Sequence, residues 1–113
     1  MSDQRLKSIS VQELYRISQT QPVEVIDVRT PEEFREVRAA IVRPVPMDTI
    51  DPQQLMRARK LPADQPMYFI CHLGGRSGRT CMALVAAGYA NVVNVEGGTE
   101  AWEEAGLPVE RGN

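Results

Sequence analysis

The chain runs Met67-Tyr68-Phe69-Ile70-Cys71-His72-Leu73-Gly74-Gly75-Arg76-Ser77 through its middle. Met67 to Ile70 is an apolar run of strand length, Cys71 to Arg76 a tight loop, and Ser77 onward a helix start. A cysteine at such a junction is placed for reactivity. In this reading the loop N–H groups, the positive end of the following helix and the guanidinium of Arg76 all point at one sulfur.

Outward from the loop, strand and helix patterns alternate. Ser10-Val11-Gln12-Glu13 and Thr30-Pro31-Glu32-Glu33 match the capping box, and Asp51-Pro52-Gln53-Gln54 repeats the pattern. The first helix carries Val11, Leu14, Tyr15 and Ile17 on one face and ends in Gln19-Thr20-Gln21-Pro22. Strands are expected at Val23 to Val28, Val42 to Val45, Met67 to Ile70 and Asn91 to Val95. A fourth helix over about Ser77 to Ala87 stops at Gly88, and a last one over about Thr99 to Ala105 stops at Gly106, with Pro108 just beyond. The alternation predicts an α/β fold: a parallel sheet with helices on both faces and ligands beyond the carboxyl ends of the strands. Cys71 lies at such an end.

A length of 113 residues suits one domain, residues 1–113, with enough chain to bury a real core. With 13 basic and 15 acidic residues the net charge is -2, which offers no polybasic footprint for nucleic acid or an anionic membrane. Any anion must be bound locally. No apolar run is long enough to span a membrane and Met1-Ser2-Asp3-Gln4 opens no secretory signal, so a cytoplasmic location is expected. Two cysteines are too few for a disulfide framework, and one histidine leaves nothing with metal-ligand spacing. Free thiols, no metal and no cofactor are the expectation.

With these pieces placed, the chain resembles a single-domain rhodanese, a sulfurtransferase of the rhodanese-like family. The resemblance runs through Val25-Ile26-Asp27-Val28-Arg29 with Pro31-Glu32-Glu33-Phe34, then Cys71 to Ser77, then Asn94-Val95-Glu96-Gly97-Gly98 with Ala101-Trp102 and Ala105-Gly106-Leu107-Pro108-Val109. Each piece alone is weak; their order and spacing together are specific. The resemblance implies a five-stranded parallel sheet flanked by helices, and a Cys71 that carries sulfane sulfur as a persulfide. Thiosulfate is the usual test donor, and cyanide or a thiol the acceptor. The implied partners are small sulfur-containing anions and protein or thiol sulfur acceptors. The site candidates are Cys71 and Arg76 for catalysis and His72, Leu73, Gly74, Gly75 and Ser77 for substrate binding. The resemblance also implies that Asp27-Val28-Arg29 supports the loop. Read from the residues alone, Asp27 and Arg29 form a local ion pair or cap the helix at Thr30.

The chemistry can be argued independently. A free thiol with a pKa near 8.5 is only a few per cent ionised at pH 7, whereas a sulfur-transfer nucleophile must be thiolate. A helix N-terminus contributes about 0.3–1 kcal/mol, up to about 2 in good geometry, against about 1.36 kcal/mol per pKa unit. The dipole therefore supplies about one unit, and the rest falls to the loop N–H groups and Arg76. Gly74 and Gly75 let the backbone approach. Arg76 is expected to bind the sulfonate of thiosulfate and offset the charge of departing sulfite.

Neighbouring residues have plainer readings. His72 adjoins the nucleophile, but an ionised sulfur needs no base, so a place in the loop or at the pocket rim is expected. Arg79 reads as surface, Cys81 as core beside Leu84 and Val85, and Trp102 as packing. One segment departs from the family: where it usually has a histidine, a proline and a glycine, this chain has Val37-Arg38-Ala39-Ala40-Ile41-Val42. The β-branched Ile41 tolerates φ > 0 poorly, so the turn there should take another path, with Arg38 facing the pocket or water.

Two other function classes stand beside the sulfurtransferase. A phosphatase or arsenate reductase would use Cys71 and Arg76 on an oxyanion, but these enclose four residues where the cysteine phosphatase loop encloses five. A non-catalytic rhodanese-like binding module generally lacks the cysteine.

Overall fold

The computed structural model describes residues 6–112. In chain order the elements are β1 (Ser8–Ile9), α1 (Val11–Ser18), β2 (Glu24–Asp27), α2 (Pro31–Glu36), β3 (Arg38–Ala39), β4 (Val42–Pro44), a 3₁₀ turn at Met47–Thr49, α3 (Pro52–Arg57), β5 (Met67–Ile70), α4 (Gly75–Ala86), β6 (Val92–Val95), α5 (Gly98–Glu104) and β7 (Val109–Glu110). Five strands form one sheet in the order β1-β6-β5-β2-β4, and every neighbouring pair is parallel. This is the expected parallel sheet, and helices cover both of its faces.

The alternation of strand side chains builds the two faces. Met67, Phe69 and then Cys71 turn to one side, where they meet Ile26, Val28 and Val92 of the sheet, Leu55 of α3, and Cys81 and Leu84 of α4. Tyr68 and Ile70 turn to the other, against Val11 and Leu14 of α1 and Trp102 of α5. The same parity that buries Phe69 therefore delivers the Cys71 side chain to the face occupied by α4. Trp102, fully buried, gives its indole N–H to the Pro108 carbonyl at 2.6 Å and meets the Tyr15 ring edge-on.

All three sequence caps are present, to different degrees. Thr30 and Glu33 form the complete reciprocal box at α2. Asp51 accepts the N–H groups of Gln53 and Gln54. Ser10 accepts from Glu13 N–H, but the Glu13 carboxylate turns to Arg16 instead of completing the box. The helix after the loop begins at Gly75, earlier than the expected Ser77, because Gly74 sits at φ 108° and turns the chain directly into the helix.

The segment that departs from the family pattern makes its own arrangement. Val37 leaves α2 in extended conformation, and Arg38 and Ala39 pair antiparallel with Glu110 and Val109, which ties the end of the described chain back to the domain. No residue other than glycine has positive φ among those described, so the turn at Ala40 and Ile41 does take another path. Arg38 faces neither the pocket nor open water, contrary to both expectations. Its side chain is 12% exposed, its guanidinium lies 4.5 Å above the Phe34 ring, and it donates to the carbonyls of Phe34 and Gly112.

Among the described residues no helix is long and apolar enough to cross a membrane.

Candidate active site

Cys71 leaves the carboxyl end of β5 with its residue 1% exposed. Its sulfur sits in the turn formed by its own loop. The Gly74 N–H donates to Sγ at 3.1 Å and the Ser77 hydroxyl lies 3.3 Å from it. Burial by itself pushes the thiol up. The Ser77 hydroxyl and the backbone N–H groups of Ser77, Gly74 and Leu73 outweigh it, so the thiol ends below its ordinary value. These donors favour the thiolate relative to an ordinary thiol, which is the direction a sulfur nucleophile in a dry place requires. Cys81, on the same face one helix away, has no such donors, and burial pushes it up to about 12.

The back of the loop is fastened by α5. Thr99 gives both its N–H, at 2.8 Å, and its hydroxyl, at 3.0 Å, to the Cys71 carbonyl, and Glu100 N–H reaches the His72 carbonyl at 3.1 Å. The approach is close enough that a Cβ on Gly98 would lie 2.4 Å from the Cys71 carbonyl oxygen. The sequence marks this region by Glu96-Gly97-Gly98, yet composition alone does not reveal that the glycines serve the cysteine loop. With its carbonyls tied behind, the loop turns N–H groups toward the sulfur.

Arg76 stands otherwise than the sequence suggests. Its fork is turned to Glu33 of α2, Nη1 to Oε1 at 2.7 Å and Nη2 to Oε2 at 2.9 Å, rather than to the sulfur. That pair holds the Glu33 carboxyl down at about 2. A charge on Cys71 would still reach Arg76 through space and favour its charged form. Beside them opens a cavity of about 470 Å³ lined by Val28, Thr30, Pro31, Met47, Asp48 and Arg76, among others. Glu33 was read as a cap from sequence; its second duty, on a residue far along the chain, has no local signal.

Asp27 and Arg29 resolve as an ion pair. Arg29 donates to Asp27 through Nε at 3.0 Å and Nη2 at 2.9 Å, with the two side chains 3% and 1% exposed. A further bond from Nη2 to the Val37 carbonyl holds the end of α2. The helix cap is Thr30, so that reading of Asp27 and Arg29 falls away. Between them, Val28 N–H donates to the Ile70 carbonyl and so fixes the strand end from which Cys71 departs. Of the remaining candidates, Ser77 is fully buried against the sulfur, Gly75 opens α4, and His72 and Leu73 are exposed, Leu73 by 58%. Arg79 is exposed as expected.

The chain is similar to known proteins over most of its length. A family profile described as Rhodanese-like domain matches residues 10–105. A protein of Allochromatium vinosum named Sulfurtransferase is 33% identical over 94 residues, covering 83% of this chain and 84% of the relative. Thiosulfate sulfurtransferase GlpE of Vibrio cholerae is 31% identical over 86 residues, covering 76% and 77%. Two further relatives are longer, and the chain spans 58% and 53% of their lengths. Among solved structures, the Rhodanese-like Domain Protein of Staphylococcus aureus superposes with a TM-score of 0.75 at 36% identity, over 93% of this chain and 99% of that one.

Proposed function

The chain belongs to the rhodanese-like family, and from that premise we propose that it is a sulfurtransferase, moving sulfane sulfur from thiosulfate or a persulfide donor to cyanide or a thiol through a persulfide on Cys71. One observation carries the reading: a buried cysteine at a strand end whose sulfur accepts hydrogen bonds from Gly74 N–H and Ser77. The names of two relatives, a sulfurtransferase and a thiosulfate sulfurtransferase, point the same way.

In the proposed cycle the Cys71 thiolate attacks the outer sulfur of thiosulfate. A new S–S bond forms as the bond to the sulfonate breaks, and sulfite leaves with the electron pair. The acceptor then attacks the outer sulfur, and Cys71 departs as thiolate. No electron enters or leaves overall. Arg76 must share its fork between Glu33 and the sulfonate oxygens, so Glu33 competes with an anionic donor. Glu32 and Asp48 line the same cavity together with Arg29 and Arg76, so acidic and basic side chains are balanced there.

Intact-mass measurement after exposure to thiosulfate tests the class. The expected product is one added sulfur atom, mapped to Cys71 and discharged by cyanide with release of thiocyanate. Turnover of a phosphate ester, with no sulfur adduct, would instead place the chain among the phosphatase-like relatives.

A further inference from the structure

Three acceptors surround the Ser77 hydroxyl, which has one proton to give. Its Oγ lies 2.5 Å from Asn94 Oδ1, 3.3 Å from Cys71 Sγ and 3.3 Å from the Gly74 carbonyl oxygen. Gly74 O is already filled, accepting the Gly78 N–H at 3.1 Å and Asn94 Nδ2 at 3.2 Å. Since a carbonyl can only accept, the Asn94 amide must turn its NH₂ toward Gly74 and its oxygen toward Ser77. The contest for the proton is between Asn94 and the sulfur.

Its outcome follows the charge on the sulfur. A neutral thiol accepts weakly, so the hydroxyl gives its proton to the nearer Oδ1. A thiolate accepts a charge-assisted bond, roughly twice as strong as a neutral one, and the hydroxyl turns to it. Asn94 is only 8% exposed, so its oxygen is then left dry, and that cost falls on the thiolate form.

We propose that Asn94 is a positioning residue for Cys71, taking the Ser77 proton while the sulfur is neutral and yielding it when the sulfur carries charge. In the cycle described above, on which this role rests for its purpose, the hydroxyl turns back to Asn94 as the persulfide forms, because charge moves to the outer sulfur. It swings to Sγ again as the acceptor takes the outer sulfur and Sγ departs as thiolate. Parity along β6 makes this possible: Asn94 shares the α4 face with Val92, while Val93 and Val95 pack on the other.

The test is the rate of Cys71 alkylation by iodoacetamide against pH, with the label located by peptide mapping. Asn94→Leu removes the competing acceptor and should speed alkylation on the acid side of the profile by about 2- to 10-fold, the worth of one neutral hydrogen bond. Ser77→Ala should slow it. In the Ser77→Ala background the acceleration by Asn94→Leu should disappear, because the competition for the proton needs the hydroxyl; what remains there reports the bond from Asn94 Nδ2 to the Gly74 carbonyl. Asn94→Asp keeps an acceptor beside Ser77 and strengthens it, so it should slow alkylation, which serves also if the leucine variant does not fold. The native charges facing the sulfur, Arg76 with Glu33 of α2 and the Asp27–Arg29 pair behind them, are unchanged in every variant. Asn94→Asp adds a carboxylate to them, so its slowing should shrink in the Ser77→Ala background, where the added charge stays and the hydroxyl is gone. Slower or unchanged alkylation in Asn94→Leu, faster alkylation in Asn94→Asp, or an equal effect of Asn94→Leu without Ser77 would overturn the proposal. Alkylation needs no sulfur donor, so failure to take sulfur from thiosulfate would remove the functional reading while leaving this result standing.

Discussion

Arg76 and Glu33 meet in a two-point ion pair that joins α4 to α2 with both terminal guanidinium nitrogens engaged. A carboxylate therefore occupies the two-point face of the Arg76 fork, where the proposed donor would have to displace it. Glu33→Gln should loosen that hold and lower the KM for thiosulfate several-fold, whereas Arg76→Ala should reduce kcat/KM by about 10- to 150-fold. Thiosulfate kinetics untouched by both changes would mean that the donor never meets this arginine.

The same pair predicts how stability responds to acid. Its carboxyl is held at about 2 against an ordinary 4.5, so between those values the unfolded chain binds a proton the folded one does not. The pair's contribution is full above pH 4.5 and is lost as the pH falls toward 2. Both side chains are about a third exposed, so solvent screens the effect. Urea midpoints should drop more between pH 5 and pH 2 in the wild type than in Glu33→Gln; parallel drops would deny the linkage.

The two thiols should behave as different reagents. Cys71→Ser should abolish the proposed sulfur loading, and Cys81→Ala should leave it intact while costing about 1 kcal/mol of core stability. In the native protein at pH 7, labelling should fall on Cys71, with Cys81 reacting only after unfolding, since burial pushes it up to about 12. Comparable loss of loading in both variants would make Cys81 a working thiol.

Gly98→Ala should harm both folding and loading, because the new methyl would strike the backbone oxygens of Cys71 and His72 at 2.4 and 2.5 Å. Gly88→Ala is the control: φ is also positive there, yet nothing lies within 4 Å. It should cost only backbone strain, about 1 kcal/mol, and spare activity. Equal damage from the two would show that the loop tolerates displacement.

Asp27→Ala leaves the Arg29 guanidinium buried without its counter-ion, and should destabilise by about 3–5 kcal/mol in chemical denaturation. Arg29→Met added to it should recover part of the loss. No recovery would mean that the carboxylate acts mainly on the Arg29 backbone N–H, to which it also bonds at 3.0 Å.

What the sequence discloses here is local. The strand ending at Ile70, the glycine turn after Cys71 and the cap at Thr30 are each written within a few residues, and each is found. β1 is two residues long and takes its conformation from pairing with Asn94 and Val95, so its own pattern is silent. The pairing of β3 with β7 depends on residues from opposite ends of the fold. Glu33 and Asn94 look like a cap and a strand residue, and only the superposition of α2 and β6 on one loop gives them further partners. Arg38 escapes in part for the same reason: Phe34 is a local partner four residues back, but the Gly112 carbonyl comes from the far end of the described chain.

The depth of Cys71 divides the two halves of the proposed cycle by size. With the residue 1% exposed, a donor must bring its own sulfur down to Sγ, so only a slender terminal atom qualifies. Once loaded, the reactive sulfur stands about 2 Å farther out, one S–S bond toward the mouth. An acceptor can then collect it without entering. In the proposed cycle, loading should therefore select narrow donors, and unloading should admit acceptors as bulky as another protein's thiol.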